Sequence, residues 1–164
     1  MIDYALTQPG PVAIRYPRSA PDIAVPYAAF RAGTWETLRE GRHAALIASS
    51  GILRECLDAA ELLHARGIEA AVINASSLRP LDKECLRRLS QAGTPFLTVE
   101  EHVLPGGLGS AIMEHCRAAG LSLPRDVLGL PDAFIAHGAR SALLRRCGLD
   151  PASIAARAEK AVNP

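Results

Sequence analysis

The sequence predicts an α/β domain of three layers: an open, mostly parallel sheet with helices on both faces and one antiparallel edge strand. Three observations carry this reading. Continuous apolar runs recur at 43–50, 68–76 and 95–100, as expected of strands covered on both faces. A stretch of helical period follows each run. The connections are short and marked by glycine or proline, which in an alternating β/α chain implies parallel pairing by crossover.

The elements follow in order. Residues 11–16, "PVAIRY", alternate like a strand and stop at Pro17. Residues 19–32, "SAPDIAVPYAAFRA", hold two prolines and little period, which is the signature of a linker. A strand therefore precedes the main domain, which begins at Gly33. "TWETLRE" (34–40) alternates as an edge strand and turns at Gly41. "HAALIASS" (43–50) is a buried strand. The stretch 51–66 sets Leu53, Cys56, Leu57, Ala60 and Leu63 on one helical face and stops at Gly67. "IEAAVINAS" (68–76) is the next buried strand. After Pro80 a helix is capped by Asp82 and closed by Gly93. "PFLTVE" (95–100) leads to a helix over 107–119, and "RDVLGLP" (125–131) is the last strand. Two short helices, "SALLRRCG" and "PASIAARAEKAV", finish the chain.

The composition excludes several classes of function. The 164 residues form one ordinary domain, 49% apolar and 21% charged. A net charge of +1 leaves no broad footprint for nucleic acid or for an acidic membrane. No apolar stretch reaches the roughly 20 residues needed to span a bilayer. The start "MIDYALTQPG" has neither a basic n-region nor an apolar signal core and reads as cytoplasmic. Cys56, Cys85, Cys116 and Cys147 lie 29, 31 and 31 residues apart, without the close spacing of a zinc site or a redox dithiol. They are expected to be buried thiols, spaced by a strand–helix unit of about 30 residues.

The stretch "EEHVLPGGLGS" (100–110) is the most suggestive feature. A strand, a glycine-rich turn and a helix form the arrangement whose backbone N–H groups and dipole receive an anion. Yet Gly106, Gly107 and Gly109 match neither the dinucleotide fingerprint nor the phosphate-binding loop. Glu100 and Glu101 at the strand end would also repel a phosphate. The glycines serve equally well for a tight turn and close helix–strand packing. Arg15 and Arg18 form a second candidate, because a polyproline-like turn at Pro17 lets two guanidinium forks share one face. Among the histidines at 43, 64, 102, 115 and 137, none has metal-ligand spacing; His102 and His137 stand in loops. No elbow serine and no nucleophile–base pair is present. The residues alone describe a doubly wound domain without a complete active site.

Five segments, in this order, carry a resemblance: "GPVAIRYPRS" (10–19), "NASSLRPLD" (74–82), "TVEEHVLPGGLGSAIME" (98–114), "GLPDAFIAHG" (129–138) and "GLDPASIA" (148–155). Together they resemble the C-terminal end of the 1-deoxy-D-xylulose-5-phosphate synthases, thiamine-diphosphate enzymes of the transketolase superfamily. The "RPLD" and "EE…GG.G" elements are shared more widely, including with beta subunits of 2-oxo acid dehydrogenases. "GLPD…HG" and "GLD" are more specific to the synthases.

The resemblance implies a transketolase C-terminal-like domain over 33–164, a linker over 19–32, and the tail end of an upstream pyrimidine-binding domain over 1–18. It implies a transferase that joins pyruvate to glyceraldehyde 3-phosphate with loss of carbon dioxide. Thiamine diphosphate and magnesium would be held by domains upstream of this chain, with none bound here, so the chain alone is expected to be inactive. Arg18 resembles the residue that grips the substrate's phosphate, and Arg15 looks structural. The glycine turn then serves packing and presents Glu100, Glu101 and His102, with Asp132 and His137, toward neighbouring domains. No residue here is assigned a catalytic or metal-binding role. The expected partners are the thiamine-diphosphate-binding domains or subunit and further copies of the chain, in a dimer or larger, with no nucleic acid and no membrane. Two alternatives stay open: a stand-alone binding or assembly module of the same fold, and the C-terminal domain of a 2-oxo acid dehydrogenase beta subunit. The sequence departs from the synthase pattern at Ser76, usually arginine, and at Ser77, usually bulky apolar or threonine.

Overall fold

A computed structural model describes residues 1–16 and 29–163. Five strands form one sheet: β1 (Glu36–Arg39), β2 (Ala44–Ala48), β3 (Ala70–Asn74), β4 (Phe96–Val103) and β5 (Asp126–Leu130). Their spatial order is β1-β3-β2-β4-β5. β2 pairs in parallel with both β3 and β4, and β4 pairs in parallel with β5. Only β1 is antiparallel, on the outer edge of β3. The mixed sheet with one antiparallel edge strand is the one expected.

Among the described residues six α-helices accompany it: α1 (Ile2–Leu6), α2 (Leu53–His64), α3 (Lys83–Ala92), α4 (Leu108–Ala119), α5 (Arg140–Arg146) and α6 (Pro151–Val162). The helices cover the sheet on two sides, and the alternation within each strand shows why. Leu46, Ala48, Val72, Leu97 and Val99 point to a cluster with α2, α5 and α6, through Cys56, Leu63, Leu144 and Ile154. Ala45, Ile47, Ala71, Ile73 and Phe96 point the other way, to Leu86 of α3 and Ile112 of α4. A strand in the middle layer is covered on both faces: all five residues of β2 and of β3 are buried, and only Asn74, at the end of β3, is polar.

Local signals place the helix ends. Asp82 caps α3 by accepting from the Cys85 N–H at 2.8 Å, and Gly93 closes it in the left-handed conformation. Asp150 caps α6, with Pro151 in its first turn. Cys56, Cys85 and Cys116 are buried, whereas Cys147, beyond the end of α5, is only half-buried.

Two expectations need correction. Residues 11–16 do not form a strand. Alternation makes a strand only where a neighbouring strand takes up the backbone N–H and C=O groups, and no described strand lies beside this exposed segment. A short helix, α1, precedes it instead. The other correction concerns β4, which runs on to Val103, so Glu100, Glu101 and His102 are strand residues and not part of a loop. Arg18 and most of the linker lie outside the described residues.

Candidate functional site

The sheet changes direction at β2: β3 lies on one side and β4 on the other. In open parallel sheets the crevice at the carboxyl ends of two such strands is where ligands bind. Here that crevice is filled from within.

Glu100 leaves β4 pointing at the start of α4. Its carboxylate accepts from Leu108 N–H at 2.8 Å and Gly109 N–H at 2.9 Å, and the residue is 2% exposed. The positive end of α4 and its orphan donors are therefore satisfied by the protein's own anion. The glycines make room for it. A Cβ on Gly107 would overlap the Glu100 carboxylate, and one on Gly109 would overlap Val127 Cγ1. Gly106 carries the turn itself, at φ +73°. The turn has the architecture of an anion site and is occupied by Glu100, whose carboxylate is turned into the domain and not outward as expected.

Glu101, on the other face of the strand, meets Arg140. The guanidinium donates to Glu101 from Nη2 at 2.7 Å and from Nε at 3.1 and 3.2 Å. It also donates to Glu55 of α2 at 2.7 Å and to the Gly51 carbonyl at 3.0 Å. Arg140 thus ties the loop after β2, the start of α2 and the end of β4 across the switch point. Its hydrogen bond to Glu101, reinforced by Glu55, holds its pKa above the ordinary arginine value. Arg15 reaches the same place and donates to the Glu101 carbonyl at 2.8 Å. The sequence reading missed Arg140. The one available signal was an arginine at the first position of a helix, where the dipole disfavours a cation.

The remaining candidates are dispersed. His102 pairs its Nδ1 with the Val103 carbonyl at 2.7 Å. Asp132 and His137 lie in the connection 131–139, every residue of which is exposed. Phe134 stands fully clear of the protein at its centre. Beneath this connection is a cleft of about 310 Å³, lined by Leu130, Ile135, Leu143 and Leu144 with Glu101 and Arg140. Burial pushes the Cys56 thiol well above its usual range, with Glu55 adding to the effect. Cys85 rises to about 11 for the same first reason, with Asp82 adding to it. Both are poor nucleophiles.

Of the two unusual serines, Ser77 has a defined place, and nothing in the structure explains Ser76. Ser77 Oγ accepts from Gly33 N–H at 3.0 Å and donates to the Pro80 carbonyl at 2.9 Å. Trp35 Nε1 donates to the Ser77 carbonyl at 2.9 Å, and Trp35 N–H to Asp82 at 2.8 Å. Ser77 thereby fastens the entry of the domain to the corner before α3.

The described residues do not fit a diphosphate with its magnesium ion. Glu100 occupies the glycine turn, and among the described residues no group of three or more His, Cys, Asp or Glu side chains is placed to hold a metal.

A 1-deoxy-D-xylulose-5-phosphate synthase from Pelotomaculum thermopropionicum is 43% identical over 155 residues, covering 91% of this chain and 24% of the relative. One from Bacillus velezensis is 36% identical over 169 residues, covering 100% of this chain and 27% of the relative. The chain spans about a quarter of the length of these curated relatives. Among solved structures, one described as "Split gene transketolase, inactive beta4 tetramer" superposes with a TM-score of 0.73 at 32% identity, covering 90% of this chain and 46% of that one. The transketolase from Leishmania mexicana shares the fold, with a TM-score of 0.61 at 15% identity over 79% of this chain and 18% of its own. The sequence model of the transketolase C-terminal domain matches residues 33–154, and the chain belongs to that family, homologous to the C-terminal domains of transketolases and of 1-deoxy-D-xylulose-5-phosphate synthases.

Proposed function

We propose that this chain acts as the C-terminal domain of a thiamine-diphosphate-dependent 1-deoxy-D-xylulose-5-phosphate synthase. Its role there is structural and interdomain, and the chain is inactive by itself. The observation that carries this reading is the state of the carboxyl end of the sheet. Glu100 and Arg140 spend their charges inside the domain, while the connection 131–139 stands out from it with Phe134 exposed. Such a surface is suited to receiving another protein body rather than to performing chemistry.

The cofactor and its magnesium belong to parts of the enzyme other than the residues described here. When bound, thiamine diphosphate supplies the carbanion chemistry that joins pyruvate to an aldehyde. This chain supplies Arg18 toward the phosphate of glyceraldehyde 3-phosphate, an assignment that rests on its resemblance to the synthases. It also supplies a firm abutment, through Arg15, Glu101, Arg140 and the connection with Asp132, Phe134 and His137. The solved relative described as an inactive beta4 tetramer supports both inactivity in isolation and self-association of the free chain.

Reconstitution tests this. The purified chain is mixed with the remaining N-terminal part of a synthase, thiamine diphosphate and magnesium, and carbon dioxide release from pyruvate plus glyceraldehyde 3-phosphate is followed. Activity is expected only in the mixture, with a sharp fall for Arg18→Ala. Full activity of the chain alone, or no association with the N-terminal part, overturns the proposal.

A further inference from the structure

A second charged site lies at the opposite end of the sheet, where β5 begins and α6 ends. A cleft of about 260 Å³ is lined there by Arg125, Asp126, Arg157, Lys160 and Ala161. Asp126 is fully engaged. Its Oδ1 accepts from Arg157 Nη2 at 2.7 Å and from Val127 N–H at 2.9 Å, and its Oδ2 accepts from Arg157 Nε. Arg125 and Lys160 have no carboxylate partner among the described residues. Three cations therefore face one spent carboxylate.

The concentration of charge is local, because the whole chain carries a net charge of only +1. The cleft volume falls just below the roughly 300–1,000 Å³ of clefts that take drug-sized ligands, so its ligand is small. No aromatic side chain lines it, which removes the stacking platform that single-stranded nucleic acid requires. Two open cations beside an arginine already oriented by Asp126 match an anion with several oxygens and more than one charge.

We propose that the cleft of Arg125, Arg157 and Lys160 is a binding site for a small phosphate-bearing anion. It is remote from the carboxyl end of the sheet and does not depend on the function proposed above. Asp126 holds one face of the Arg157 fork and leaves Nη1 to the ligand. Arg125 and Lys160 close on the anion from either side.

The test is a titration of the isotopically labelled chain with inorganic pyrophosphate at low ionic strength, followed by amide NMR. Expected are saturable shifts confined to residues 125–128 and 157–161. The Arg125→Ala/Lys160→Ala double variant, both positions being exposed, keeps the Arg157–Asp126 pair and the fold and binds at least ~10-fold more weakly. Unchanged affinity in the double variant overturns the proposal, as do shifts that never saturate and spread over every basic patch. Citrate is the competitor that decides the ligand class: equal affinity for citrate overturns the assignment to phosphate.

Discussion

Glu100 accepts the N–H groups of Leu108 and Gly109, eight and nine residues further along the chain, and so takes the place of a ligand at the start of α4. Replacing it by alanine leaves two buried donors without partners. Hydrogen bonds to a charged group contribute about 1.5–3 kcal/mol, so Glu100→Ala is expected to lower stability by about 2–3 kcal/mol in urea unfolding. Glu100→Gln keeps one acceptor and should lose less. A change below about 0.5 kcal/mol for the alanine variant would show that α4 does not need this cap.

The three glycines of the turn are expected to differ from one another. Gly107→Ala and Gly109→Ala each place a Cβ into the Glu100 carboxylate or into Val127 and Thr98, and should cost about 1–3 kcal/mol by overpacking. Gly106→Ala meets open space but sits at φ +73°, and should cost about 1 kcal/mol through backbone strain alone. Equal losses at all three positions would contradict this account.

Arg140 is 39% exposed at its side chain, whereas its partner Glu55 is only 14% exposed. Arg140→Ala removes contacts that solvent partly screens and leaves Glu55 without its cation. The expected loss is about 1–2 kcal/mol. Hydrogen exchange should also quicken across 131–139 and in the first turn of α5. Arg140→Lys cannot span Glu101, Glu55 and the Gly51 carbonyl at once and should recover only part of both effects.

His64 Nδ1 lies 2.7 Å from Glu69 Oε1, and this hydrogen bond is the main reason that the Glu69 carboxyl titrates below its usual value of 4.5. The Arg39 and His43 charges act in the same direction. A carboxyl whose folded pKa is depressed adds stability that is present above its unfolded pKa and is lost as pH falls through the folded one. The contribution is therefore complete above about pH 5 and fades in acid. In a carbon NMR titration, His64→Ala should bring the Glu69 pKa back up toward the ordinary range; an unmoved midpoint would rule the imidazole out as the cause.

Much of the fold is legible in short stretches of sequence. The buried runs of β2 and β3, the Asp82 and Asp150 caps and the Gly93 stop act within a few residues of themselves, so local chemistry settles them. The order of residues was likewise enough to show a strand, a glycine turn and a helix at 95–119. What that turn holds was not legible. Nothing local says that Glu100 folds back onto α4 while Glu101, its neighbour, faces Arg140 thirty-nine residues away. The same limit explains residues 11–16, whose alternation matches a strand while the sheet that would pair with them is not among the described residues. The sequence by itself determined which stretches form the buried strands of the sheet and where α3 and α6 are capped, because propensity, capping and burial pattern are short-range. Tertiary structure alone decided which charges meet, because ion pairs and the filling of a helix terminus depend on elements that are distant in the chain and adjacent only in the fold.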